Sequence, residues 1–178
     1  MTLSELNTLS EEQATETLRQ CCASSHWVEC MVAARPFANI ESLLIAANAV
    51  WSHCQKSDYL EAFDAHPKIG DINSLKKKYQ NTQAMAGHEQ SGVDEANAGT
   101  LQALAENNGK YERRFGYIFI VCATGKSASE MLTLLEERLH NEPADELSIA
   151  AAEQHKITSI RLCKMLKNTS LPKEGAIL

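Results

Sequence analysis

This sequence predicts an all-α fold, and three observations carry that reading. Apolar residues recur at helical spacing over most of the 178 residues. Cap and capping-box signals stand ahead of several of those runs. Only one stretch, residues 117–123, reads as anything other than helix or loop. An apolar content of 44% and this length suit one domain with a substantial core. The expectation is a single domain over 1–178, with a core of about 6–168 and a C-terminal tail at 169–178. Its architecture would be a compact bundle of about eight helices with one short extended or irregular segment.

Ser10 and Gln13 have the form of a capping box and open a helix through about Ala23. A short helical piece from His26 to Ala34 is stopped by Arg35-Pro36. Asn39 caps a stronger one, in which Ile40, Leu43, Leu44, Ala47, Val50, Trp51 and Cys54 share a face. Ser57 is the expected cap of the next, which carries Tyr59, Leu60 and Phe63 and ends at about His66 because Pro67 follows. From Asp71 to Gly92 the chain is polar, with the basic cluster Lys76-Lys77-Lys78. A helical stripe resumes through Val93, Ala96, Leu101, Leu104, Ala105, Tyr111 and Phe115, with candidate breaks near Gly99 and Gly109. Ser127 and Glu130 form a second capping box ahead of Met131, Leu134, Leu135 and Leu139. Asn141 and Pro143 open a last helix that runs to about Asn168.

The exception is Tyr117-Ile118-Phe119-Ile120-Val121-Cys122-Ala123, bracketed by Gly116 and Gly125. It is β-branched and aromatic, as buried strands are, yet no comparable partner strand exists in the sequence. Its N–H and C=O groups must still be satisfied. Two readings stay open: helix after all, or an extended piece with backbone groups available to a ligand.

A formal charge of −6 and a pI near 5.5 argue against nucleic acid or an anionic membrane surface as partner. The six cysteines form no Cys-x-x-Cys pair and no zinc-ligand spacing, and read as reduced thiols among apolar neighbours. The N-terminus lacks a basic and an apolar signal region, and the chain does not end in a Ser-Lys-Leu peroxisomal tail. No apolar run approaches a membrane span. A cytoplasmic protein is expected.

Four features could carry chemistry. His66, before Pro67, sits at a helix-to-loop junction and is the side chain that titrates near neutrality, although most such histidines merely end a helix. Glu89-Gln90 lies in a polar loop flanked by Gly87 and Gly92, where solvated side chains are the ordinary case. The run through Phe119, Ile120, Val121, Cys122 and Ala123 is core by default. Arg161, between Ile160 and Leu162, would usually snorkel or pair with a carboxylate. No His-Glu-x-x-His, Gly-x-Gly-x-x-Gly or phosphate-loop pattern appears, so neither a metal nor a nucleotide cofactor is expected.

Their order and company change that weighing. His66-Pro67-x-Ile69-Gly70, then Glu89-Gln90, then Phe115-Gly116-Tyr117-x-Phe119-Ile120-Val121-Cys122-Ala123, then Lys156-Ile157-Thr158-x-x-Arg161-Leu162 stand in one order. Together with Leu6-Asn7-Thr8-Leu9 near the start, this pattern resembles the 2-oxo-4-hydroxy-4-carboxy-5-ureidoimidazoline (OHCU) decarboxylase family, over nearly the whole chain. The resemblance implies an all-helical, cofactor-free homodimer that completes the conversion of urate to (S)-allantoin. It implies that His66 is the acid–base residue and that Pro67 borders the substrate; a carboxylate near the imidazole, the place expected of Glu89, would orient it and favour its protonated form. It implies further that Gln90 binds substrate beside Glu89, that the Phe119–Ala123 backbone meets the ring, and that Arg161 contacts the anion. In one respect the sequence departs from the family pattern: Ala86 stands where many members have a serine, so that hydroxyl is missing from the substrate-binding loop.

The chemistry wants these groups. Loss of CO2 leaves an electron pair to delocalise into the ring, and one face must then take a proton from an acid with a pKa near neutrality. A guanidinium fork matches a carboxylate or planar urea as lysine cannot. The competing readings are an enzyme acting on a different cyclic ureide and a helical interaction module without catalysis.

Overall fold

The computed structural model describes residues 1–66 and 93–166, and for 93–97 the backbone alone. Among the described residues the secondary structure is entirely helical. Eight helices follow one another among these described residues: α1 Leu3–Thr8, α2 Glu11–Arg19, α3 Ser25–Ala33, α4 Ile40–His53, α5 Lys56–Asp64, α6 Val93–Phe115, α7 Ala128–Arg138 and α8 Pro143–Met165. None of these helices is long and apolar enough to cross a membrane. Two compact units divide the chain: Met1–Ala65 with the chain from Ala151 onward, and His66–Ala150.

In the first unit, α3 packs against α2, α4 and α5. Leu6, Leu18, Trp27, Met31, Leu43, Phe63 and Leu162 are wholly buried there. Each such aliphatic or aromatic side chain contributes about 1.5–3 kcal/mol on leaving water. Both tryptophans also satisfy their indole N–H groups: Trp27 donates to the Ala47 carbonyl at 3.2 Å and Trp51 to that of Ala151 at 2.9 Å. Arg35 ties down the end of α1 by donating to the carbonyls of Leu6 and Leu9, both at 2.9 Å. The cysteines are free thiols, and burial pushes Cys21 and Cys22 up to about 11 and Cys54 up to about 12.

The helix starts follow local chemistry. The expected capping boxes at Ser10/Gln13 and Ser127/Glu130 form, and the Asn39 side chain accepts from the Ser42 N–H at 2.8 Å. α5 differs from expectation. The Asp58 carboxylate reaches back to the Gln55 N–H at 2.7 Å, so the helix begins at Lys56 and Ser57 lies inside its first turn rather than capping it. α2 stops at Arg19, short of Ala23, in a turn closed by the Cys21 and Cys22 N–H groups on the Leu18 carbonyl.

In the second unit, α6 packs against α7. Neither Gly99 nor Gly109 breaks α6, which runs without interruption to Phe115. A glycine inside a helix costs about 1 kcal/mol. Burial of Leu101, Leu104 and Tyr111 along the same helix outweighs that. Gly116 then leaves the helix at φ +81°, in the left-handed region that glycine enters most readily. The 117–123 segment is neither helix nor paired strand but an irregular stretch, and a second left-handed glycine, Gly125 at φ +77°, turns it toward α7.

Candidate active site

His66 lies two residues past the end of α5 and is half-buried. Ala62 and Phe63 are buried just before it, so the helix leading into the histidine is anchored by its own core residues. That agrees with a helix end at this point in the sequence. The expected site residues Pro67, Ala86, Glu89 and Gln90 lie outside the described residues.

The 117–123 segment is held closely. Tyr117, Phe119, Ile120 and Cys122 are buried, while Ile118, Val121 and Ala123 are partly exposed. Tyr111 meets Phe119 and Tyr117 edge-on, with ring centroids 5.2 and 5.9 Å apart. Three of the segment's carbonyls are engaged by the protein itself. Arg138 Nη1 donates to Ile120 at 2.8 Å, Lys126 Nζ to Cys122 at 3.0 Å, and the Lys126 N–H to Ala123 at 3.2 Å. The expectation of backbone groups open along the whole stretch therefore narrows. Among the described residues, the main-chain groups of Ile118, Phe119 and Val121 have no hydrogen-bond partner.

Behind the segment sits a network that sequence reasoning missed. Arg138 is buried and bonds Glu146 Oε1 through Nε at 2.8 Å and Nη2 at 2.5 Å. Glu146, with no exposed surface, also accepts from the Tyr111 hydroxyl, and its Oε2 accepts from Asn141 Nδ2 at 2.7 Å. Burial, with the Glu146 carboxylate close by, raises the Tyr111 hydroxyl far above the usual phenol range and keeps it a donor. The Arg138 guanidinium also lies 4.7 Å from the centroid of the Phe119 ring. A signal was present: Arg138 stands three residues after Leu135 and seven after Met131, on the buried face of α7.

Arg161 extends from the later part of α8, half-buried, with Nη1 donating to the Cys21 carbonyl at 3.3 Å. Among the described residues no carboxylate pairs with it. A guanidinium held by one backbone carbonyl keeps most of its five donors for another acceptor.

Among the described residues the protein is all-helical, with a braced, irregular stretch of backbone in one unit and, in the other, an arginine that no described carboxylate pairs. The chain belongs to the OHCU decarboxylase family, whose description matches residues 7–163, and that family is one of carboxy-lyases. It is 35% identical over 160 residues to the Arabidopsis thaliana uric acid degradation bifunctional protein TTL, covering 90% of this chain and 49% of that protein. The chain thus spans about half the length of that bifunctional relative. It is 29% identical to the 2-oxo-4-hydroxy-4-carboxy-5-ureidoimidazoline decarboxylase of Amia calva, covering 91% of this chain and 93% of that one. Among solved structures, an OHCU decarboxylase crystallised in the presence of (S)-allantoin is similar over 90% of this chain and all of its own, with a TM-score of 0.69 and 35% identity. An (S)-allantoin synthase structure, 20% identical with a TM-score of 0.66, shares the fold.

Proposed function

We propose that this chain decarboxylates 2-oxo-4-hydroxy-4-carboxy-5-ureidoimidazoline to (S)-allantoin and CO2. The observation that carries the reading is the family match over residues 7–163, which includes His66, the 117–123 segment and Arg161. That range draws on both compact units and supports reading 7–163 as one family domain. The homodimeric state and the absence of a cofactor rest on the family resemblance, and the cytoplasmic location on the reading of the six cysteines as reduced thiols.

In this reading the reaction needs no group from outside the chain. The substrate's C–CO2 bond is held across the plane of the adjacent π system, so that the electron pair left by CO2 passes into the ring. His66 delivers the proton that completes the product on one face, which sets its handedness. Glu89 orients the imidazole and favours its protonated form. Gln90, Pro67 and Ala86 border the substrate. The main-chain groups of Ile118, Phe119 and Val121, which no described residue engages, complement the alternating N–H and C=O groups of a cyclic ureide. Arg161 binds the anionic part through parallel N–H donors.

The test is direct. The unstable intermediate is generated with urate oxidase and hydroxyisourate hydrolase, the protein is added, and optically active allantoin is followed by circular dichroism. Acceleration over spontaneous decay is expected, and folded protein that gives none would refute the proposal. Arg161→Lys should raise KM about tenfold or more, because the charge remains but the fork is lost, and that amounts to about 1.4 kcal/mol of binding. An unchanged KM would remove Arg161 from the binding groups.

A further inference from the structure

The buried cluster behind the 117–123 segment is built more elaborately than stability requires. Two opposite charges, Arg138 and Glu146, are taken out of water to make it. Such a pair returns little net stability, since its attraction is largely cancelled by desolvation. What it does accomplish is geometric. Glu146 holds the guanidinium by two of its nitrogens, and the third points at the Ile120 carbonyl, 2.8 Å away. The same guanidinium lies against the Phe119 ring, so two consecutive residues of the segment are registered on one planar group. Tyr111 joins both halves, donating to Glu146 and meeting Phe119 edge-on.

The direction of the next peptide group follows. The Ile120–Val121 peptide is trans and planar, so its N–H points away from its C=O. With the Ile120 carbonyl drawn to Arg138, the Val121 N–H faces the opposite side, where no described residue accepts from it. Lys126 then secures the far end through the Cys122 carbonyl.

We propose that Arg138, clamped by Glu146 and Tyr111, is a positioning residue that aims the Val121 N–H and the adjoining main chain at an acceptor on the substrate ring. This rests on the proposed reaction for the identity of the ligand. The aiming itself is a property of the chain. Arginine is required because one guanidinium must serve a carboxylate and a carbonyl at a fixed angle, which an ammonium cannot do.

The decisive variant is R138M/E146Q in the full chain. It buries no charge, and the introduced amide can still accept from Tyr111, so the helices should remain. The Ile120 carbonyl, however, loses its anchor. Amide exchange at residues 118–122 should accelerate at least tenfold while that of α6 and α7 is retained, and KM should rise at least tenfold with a smaller change in kcat. A folded double variant with wild-type exchange at 118–122, or with wild-type KM, overturns the proposal. If the double variant does not fold, R138K, which keeps the charge beside Glu146, takes its place. It should fold and show the same rise in KM, and a wild-type KM there is equally fatal. Wild-type protein inactive in the circular dichroism assay would overturn the proposed reaction, whereas active wild type with unchanged variants overturns this inference alone.

Discussion

His66→Asn is expected to lower kcat by about 10²–10⁴-fold, the range that a positioned acid–base group supplies. Asparagine keeps a polar side chain of similar reach at the end of α5 but cannot exchange a proton near neutrality. His66 is half-buried, and the helix before it is anchored by Ala62 and Phe63, so the substitution should leave the far-ultraviolet spectrum and unfolding midpoint close to wild type. The measurement is the rate of optically active allantoin formation from freshly generated intermediate. A variant within threefold of wild type would reject His66 as the acid and leave it as a helix terminator.

The largest effect on stability is expected from Glu146→Ala. The substitution leaves the Arg138 guanidinium in a buried site without its counter-charge, and breaking one side of such a pair costs about 3–5 kcal/mol. Tyr111 and Asn141 lose their acceptor at the same time. Because small domains are stable by only about 5–15 kcal/mol, much of the margin would go. Urea unfolding should show a much lower midpoint with an unchanged slope. A shift equivalent to less than 1 kcal/mol would mean that the charges are less isolated than the geometry implies.

The contrast between Glu146→Ala and R138M/E146Q separates two properties that the cluster combines. Removing one charge attacks folding, while removing both attacks the aim of one peptide group. This is why the double variant is the informative one for function.

Much of the fold is legible in the sequence because its signals are local. Ser10, Asn39 and Ser127 cap helices by reaching three residues along their own chain, and such contacts are visible as spacing. The start of α5 is harder to place because two candidate caps compete there, and the reach of Asp58 to Gln55 prevails over Ser57. Gly99 and Gly109 mislead in another way, since a helix buried along its length tolerates glycines that an isolated one would not. His66 and Arg161 stand out through their motifs. Arg138 and Glu146 do not, because an arginine in a helical stripe ordinarily reads as a surface residue whose stem packs. Only the packing of Tyr111, Ile120 and Glu146 around it shows that its head is buried as well.

The two left-handed glycines bear on how this protein can evolve. Under the proposed reading, recognition at 118–123 is written in main chain, and main chain is the same whichever side chain it bears. Drift from valine to isoleucine at Val121 leaves its N–H in place, so the recognising groups are invisible to inheritance. Alanine at Val121 would pass over them. Control lies in the Arg138 clamp and at the hinges. A side chain at Gly116 or Gly125 meets nothing within 4 Å, yet must adopt a left-handed conformation. That costs about 1–2 kcal/mol and favours a different path for the loop. Specificity in such a protein would change by hinge substitutions that never touch the ligand, and amide-to-ester replacement at Val121 would expose what ordinary mutagenesis hides.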